Sequence, residues 1–360
     1  MVAAACVTVN MPESIEVTVP EPTQESTRGR APSIRDVARL AGVSHQTVSR
    51  VLNHHPSIRP ETKQRVLDVM AELQYKPNRA ARALVTSRSR TIGILSASST
   101  HYGPASSIAA IESAARESGY WVSTANIESG DAGSIADGLA HLAAQGIEGL
   151  VVIAPQVRVF DTLAQLSIDV PYVTLQSTGR DPDHALSVDQ IAGARLATRH
   201  LIQRGHRLIY HLAGPQDWIE AEARMRGFLD EMGAQDVPTT APILGDWTAD
   251  FGYHAGRELL TVRDFTAIFA SNDQMALGVM HAVRDAGLEI PRDVSVVGFD
   301  DIPEAAHFWP PLTTVRQDFS ELGRRCVALL LGDLDQSAPE YRGTLEPELI
   351  VRDSVGAPSF

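Results

Sequence analysis

The sequence predicts an α/β protein in which an N-terminal three-helix helix-turn-helix headpiece is followed by two doubly wound α/β subdomains. Three observations predict it. A glycine turn joins two short helical patterns near Gly42. Beyond Thr91, short apolar runs alternate with helical stretches. The charge also changes sign along the chain: Arg28 to Arg90 holds 13 Lys/Arg against four Asp/Glu, a net of +9, whereas the whole chain carries −13. At 360 residues and 44% apolar content the chain can bury sizeable cores in two or three domains. A basic segment on an acidic body fits a module that reads nucleic acid, joined to a body that should not adhere to phosphate.

Residues 1–31 are polar, interrupted by Pro12, Pro20 and Pro22 and studded with Glu13, Glu16, Glu21 and Glu25, which predicts a disordered tail. They lack the basic start and continuous apolar run of a secretory signal. The headpiece is placed at 32–76. Ile34 to Ala41 has helical apolar spacing, Gly42 suits the turn because glycine tolerates positive φ, and Ser44 can cap a second helix. Val48, Val51 and Leu52 fall on one face of that helix. His45, Gln46, Ser49, Arg50 and Asn53 fall elsewhere, and with Ser44 and Thr47 they form the candidate DNA-contacting set. An ordinary pair of core helices is the plainer alternative. Pro60 suits the first turn of a third helix, whose buried stripe is Val66, Val69, Met70 and Leu73. Residues 77–90 follow as a linker. Pro77 to Leu84 has high helix propensity but little apolar face, so alone it is too short to repay helix nucleation. It reads either as a solvated linker or as a hinge that becomes helical only with DNA and a partner subunit.

Strands are predicted at Thr91–Leu95, Tyr120–Thr124, Leu150–Ile153, Tyr172–Leu175, Leu208–Leu212, around Ile243, at Ala267–Ala270 and at Val294–Phe299. Helices are predicted at Ala105–Ser118, Ser134–Gln145, Ile191–Arg204, Ala221–Met232 and Gln274–Ala286. Such alternation predicts parallel sheets covered on both faces, and one sheet could hardly hold every strand. Ligands of such sheets sit beyond the carboxyl ends of strands. There the sequence places Trp247 in a glycine-flanked loop, Arg224 on a helix, Asn272 and Asp300 after strands, and Gln317 and Phe319 after Pro311-Leu312-Thr313-Thr314. Taken singly, Trp247 could be core packing and Arg224 a surface salt bridge. Together the six are the hydrogen-bonding and aromatic groups that a small polar ligand requires.

Ile34-Arg35-Asp36-Val37-Ala38, Ala41-Gly42-Val43-Ser44 and Thr47-Val48-Ser49-Arg50-Val51-Leu52-Asn53 resemble the headpiece of the lactose-repressor family of bacterial transcription regulators. Gly245-Asp246-Trp247, Asn272 to Gly278 and Ser295 to Asp301 carry the resemblance through the body, from about Pro32 to near Asp353. The resemblance implies subdomains of periplasmic-binding-protein type, the first from 91–189 with 318–343, the second from 190–317 with 344–353, and a tail at 354–360. It implies a hinge in which Asn78 and Arg79 contact DNA and Leu84 is wedged between base pairs in the minor groove. It makes Arg224, Trp247, Asn272, Asp300, Gln317 and Phe319 effector contacts. The implied function is a cytoplasmic, homodimeric repressor of carbohydrate-utilisation genes, released from operator double-stranded DNA by a small sugar such as a galactoside. A purine-responsive regulator with the ligand as corepressor is the alternative. Three residues depart from a family member that the chain closely resembles: Ile153 and Gln176 align where it has an asparagine and an aspartate, and His45 replaces a tyrosine.

Other classes are disfavoured. An enzyme acting on a sugar could use Asp273, Asp300 and Asp301, but consecutive carboxylates cannot easily face one bond from opposite sides. No phosphate loop, nucleophile elbow or metal motif is present in the sequence, so no cofactor and no metal are expected. Cys6 and Cys326 are too few for a disulfide framework. No run of about 18 apolar residues predicts a membrane span. The family that the chain resembles forms tetramers through a C-terminal heptad helix; Val351 to Phe360 carry no heptad pattern, so the resemblance implies a dimer.

Overall fold

The computed structural model describes residues 32–52, 55, 57–75, 88–97, 100–127, 131–163, 165–166, 168–175, 184–337, 341 and 343–359. The chain forms two separate compact units. The first contains α1 (Ile34–Ala41), α2 (His45–Leu52) and α3 (Pro60–Glu72). Its turn is made by Gly42 in the left-handed region, with φ 65°, and the Gly42 N–H closes α1 on Arg39 O at 3.3 Å. Ser44 Oγ accepts the Thr47 N–H at 3.1 Å, satisfying one of the free donors of α2. Val37, Val48 and Val66 are wholly buried, with Ala38, Ala41 and Val51 around them. Each valine contributes about 1.5–3 kcal/mol, a small core that serves mainly to hold α2 at a fixed angle.

The second unit begins with β1 (Thr91–Ala97), α4 (Tyr102–Glu117), β2 (Trp121–Ile127), α5 (Ala132–Ala144), β3 (Gly149–Ile153), α6 (Val157–Leu163), β4 (Tyr172–Leu175) and β5 (Ala185–Val188). It continues with α7 (Gln190–Gln203), β6 (Ile209–Ala213), α8 (Ile219–Ala234), β7 (Ile243–Leu244), α9 (Ala249–Val262), β8 (Ala267–Ala270), α10 (Asp273–Asp285), β9 (Ser295–Asp300) and a 3₁₀ turn at Pro303–His307. The chain then runs through β10 (Thr313–Arg316), α11 (Phe319–Leu334), β11 (Gly343–Leu345) and β12 (Glu348–Ile350). Two six-stranded sheets result, ordered β11-β5-β4-β3-β1-β2 and β12-β10-β9-β8-β6-β7. Every pairing is parallel except β10 with β12. Both sheets share one doubly wound order, and β3, β8 and β9 are buried along their whole length, as strands covered on both faces must be.

The chain crosses between the sheets three times: between β5 and α7, between β10 and α11, and between β11 and β12. A crossing at 343/344 would cut β11, whose parallel pairing with β5 carries the first sheet through Leu345. The final residues also differ from a free tail. Ser354 Oγ donates to Val296 O at 2.6 Å and accepts the Thr313 N–H at 2.8 Å, Val355 is buried, and Gly356 O bonds His206 Nε2 at 3.0 Å. Residues 354–359 are therefore stitched to the second subdomain, because they satisfy backbone groups at the start of β9 and β10. Among the described residues, α6, α9, α11, β5, β10, β11 and β12 are elements that the apolar pattern does not announce. In α9 the cause is Gly252, which lowers helix propensity yet lets α10 approach until a Cβ there would lie 2.1 Å from Met275 O.

Candidate functional site

A cavity of about 390 Å³ lies between the two subdomains of the body, at the carboxyl ends of both sheets. All six residues picked from the sequence, Arg224, Trp247, Asn272, Asp300, Gln317 and Phe319, line it. Arg224 is not a surface residue: it projects from α8 and is 5% exposed. Its Nε–H donates to Gln190 Oε1 at 2.8 Å, Nη1 donates to Ser271 O, and Nη2 lies 3.3 Å from Asp300 Oδ1. Gln317 Nε2 donates to Asp300 Oδ1 at 2.7 Å and Gln190 Nε2 donates to Gln317 Oε1 at 2.8 Å. Arg224, Gln190, Gln317 and Asp300 thus close a hydrogen-bonded ring that joins α8, the start of α7 and the ends of β9 and β10. Burial pushes the Asp300 carboxyl above its ordinary value despite Arg224, and pushes Arg224 below its own despite Asp300.

Trp247 and Asp300 both have positive φ, 71° and 107°, a strained conformation for a side chain that only a well-tied surrounding sustains. Asn272 supplies one tie: its Nδ2 donates to Trp247 O at 3.0 Å, while its Oδ1 caps α10 at the Met275 N–H, 2.9 Å away. Gly214 supplies the space, since a Cβ there would fall 2.2 Å from the Trp247 ring. Behind the ring system, Asp273 accepts from Thr314 Oγ1 at 2.6 Å and from the Ile302 N–H at 2.9 Å, fixing the turn after β9. Burial, with Asp300 beside it, pushes the Asp273 carboxyl well up. Trp247 Nε1 and Gln274 Oε1 are buried on the cavity wall without a hydrogen-bond partner among the described residues. A ligand that accepts from one and donates to the other would satisfy both.

The first subdomain contributes a different surface. Ile153, Leu175, Leu186, Leu322 and Phe319 line that side, and Tyr102 meets Phe319 edge-on at 5.9 Å. Ile153, aligned above with an asparagine, is buried there and adds no polar group; Gln176 lies outside the described residues. The two subdomains also meet at a junction remote in sequence from the three crossings. The Ile219 N–H donates to Pro155 O at 2.9 Å, Arg158 lies 3.4 Å from Asp217, and the His101 ring meets Trp218 at 5.0 Å. Trp218 in turn meets Trp247 at 5.4 Å.

Sequence reasoning misses Gln190, Glu220, Gln274, Trp218 and His101. Gln190 had a usable signal, because it follows Asp189, which caps α7 by accepting the Ala192 N–H at 2.8 Å. It stayed hidden because β5, the strand that delivers it, is only four residues long. In the headpiece, Ser44, His45, Gln46 and Arg50 are exposed along α2, with Thr47 and Ser49 half-buried. Asn53, Asn78, Arg79 and Leu84 lie outside the described residues. Among the described residues no group of acidic, histidine or cysteine side chains could hold a metal, and no helix is long and apolar enough to cross a membrane.

Residues 33–78 match the family described as bacterial regulatory proteins, lacI family, and residues 198–355 match the periplasmic binding protein-like domain. The chain is 33% identical to the lactose operon repressor of Escherichia coli K12 over 333 residues, 91% of each protein. It is 35% identical to the HTH-type transcriptional regulator CelR of Thermobifida fusca, over 91% of this chain and 99% of that one. Among solved structures, the lac repressor dimer bound to operator and the anti-inducer ONPF superposes with a TM-score of 0.80 at 33% identity, covering 91% of this chain and all of that one. The CelR–cellobiose complex gives a TM-score of 0.65 at 31% identity, covering 90% and 99%. With matched headpiece and body, and this identity across nine-tenths of its length, the chain belongs to the lacI family of bacterial regulatory proteins.

Proposed function

We propose that this chain is a dimeric transcriptional repressor that binds operator DNA through α2 and is released when a small sugar occupies the cavity of the body. The observation that carries the sugar reading is the ring of Arg224, Gln190, Gln317 and Asp300 beside Trp247. Arg224 has five N–H donors and the ring and Ser271 take three, leaving two that can reach neighbouring hydroxyls. Trp247, Trp218 and Phe319 offer apolar faces to the C–H sides of a sugar ring. The relatives are transcription regulators rather than enzymes.

The release follows from differential binding. The cavity draws residues from both subdomains, so a ligand spanning them biases their relative orientation. The reading assigns base contacts to Gln46 and Arg50, with Ser44, His45, Thr47, Ser49 and Asn53 beside them, and minor-groove contacts to Asn78, Arg79 and Leu84. The same reading makes it a cytoplasmic protein. A thermal-shift screen of sugars and nucleobases, followed by operator titration with and without each hit, tests it. A sugar that raises the melting temperature and weakens operator binding is expected; a nucleobase that strengthens binding would replace this reading with the corepressor one. Leu84→Ala is expected to reduce the bend of bound DNA, and an unchanged bend in a phasing assay would remove the wedge.

A further inference from the structure

The three crossings between the subdomains are tied to one another at Asp189 and Gln190, where the first passes from β5 to α7. The Asp189 N–H donates to Leu345 O at 2.9 Å, at the end of β11, where the third crossing begins. Gln190 Nε2 donates to Val188 O at 3.2 Å within its own crossing, and to Gln317 Oε1 at 2.8 Å in the second. Gln317 is fixed in that second crossing, because its carbonyl accepts the Phe319 N–H at 3.0 Å. The other end of the Gln190 carboxamide meets a cavity residue: Oε1 accepts the Arg224 Nε–H at 2.8 Å. Gln190, Gln317 and Arg224 are all buried, so losing a partner from any of these bonds is costly. One side chain therefore joins Arg224 to two of the crossings, and its backbone neighbour joins the third.

We propose that Gln190 is the positioning residue that passes occupation of the cavity to the crossings, and so to the relative orientation of the subdomains. The inference rests on the repressor reading, in which sugar hydroxyls accept from the remaining N–H groups of Arg224. A guanidinium is planar and stiff, and so is a carboxamide. A ligand that turns the Arg224 plane turns its Nε–H with it. The Gln190 carboxamide that keeps this bond then moves its own Nε2 against Gln317. The ring closes through Asp300, which accepts from Gln317 at 2.7 Å and stands 3.3 Å from Arg224, so its members shift together.

The test is operator titration of the full-length protein, free and saturated with cellobiose, lactose, methyl β-galactoside and every other sugar that raises its melting temperature. Saturation is set for each variant by its own calorimetric titration, so a change in sugar affinity does not enter the result. A sugar that weakens wild-type operator binding by about fivefold or more should weaken that of Gln190→Leu by less than about twofold. Gln190→Glu is the second variant. It keeps an oxygen for the Arg224 Nε–H but lacks the N–H groups that reach Val188 and Gln317, so it breaks the link on the crossing side alone. It should lose the response too, and its sugar affinities on and off the operator should differ by the same reduced factor. Thermal unfolding checks the fold of each variant, and either one that folds decides the matter. A wild-type response in a folded variant overturns this inference and leaves the repressor reading standing. Wild-type operator binding that no sugar alters overturns both.

Discussion

The two α/β subdomains have the same strand order, yet they line the shared cavity with different chemistry. The second presents Arg224, Asp300, Asn272, Gln317 and Trp247, tied to one another and to backbone. The first presents Ile153, Leu175, Leu186, Leu322 and Phe319, with the hydroxyl residues Tyr102, Ser107, Ser187 and Thr344 among them. Common topology explains where a ligand sits, because both sheets point their carboxyl ends at one place. It does not explain what is held. On the second subdomain the residues at strand ends that line the cavity also support one another, so under the proposed function recognition and folding share the same side chains there. On the first, most of the wall is apolar core that reaches the cavity, and its side chains are not joined in a ring like that of Arg224, Gln190, Gln317 and Asp300.

The largest effect is expected from Arg224→Ala. It leaves Asp300 buried without its cation, so a loss of about 3–5 kcal/mol in urea unfolding is expected along with loss of ligand binding. Arg224→Met combined with Asp300→Asn should cost less than Arg224→Ala alone; equal cost would mean that the ring is not an energetic unit. Gly214→Ala comes next. The added methyl would press on Trp247, costing about 1–3 kcal/mol and weakening ligand more than operator binding. On the other wall, Ile153→Asn should cost about 1–3 kcal/mol without ligand, from a buried amide short of partners, and should widen the range of hydroxylated ligands bound. An unaltered ligand range would show that this wall does not face the ligand.

A separate effect, read without ligand or operator, is on pH dependence, and it belongs to the second subdomain. His211 packs against both Phe228 and Phe269, and burial lowers its value from 6.5 to about 4. The unfolded chain therefore takes up this proton first. The contribution of neutral His211 is complete above about pH 6.5 and is lost as pH falls toward about 4. Unfolding midpoints measured across that window should decline with acidity, and His211→Gln should flatten the decline.

The headpiece and the six site residues were legible in the sequence because their signals are local. A turn glycine, a serine cap and polar residues one helical turn apart identify α2. Polar groups just beyond apolar runs identify Asn272 and Asp300. What escaped depends on distant partners. Gln190 matters because Arg224 and Gln317, 34 and 127 residues away, converge on it. The residues from Ser354 onward looked like a tail because their partners, Val296 and Thr313, lie across the fold. Glu220 shows the same limit: nothing in its neighbours along the chain reveals that it shares a wall with Arg224 and Asp300.

Under the proposed function, occupation of this cavity sets operator affinity. The most direct measurement is the affinity of the full-length protein for the sugar identified in the thermal-shift screen, taken free and saturated with operator, together with operator affinity with and without that sugar. Coupling of about 1–3 kcal/mol is expected, and both comparisons must give the same factor, because linkage between binding sites is reciprocal. Sugar affinity that is identical on and off the operator would contradict the account.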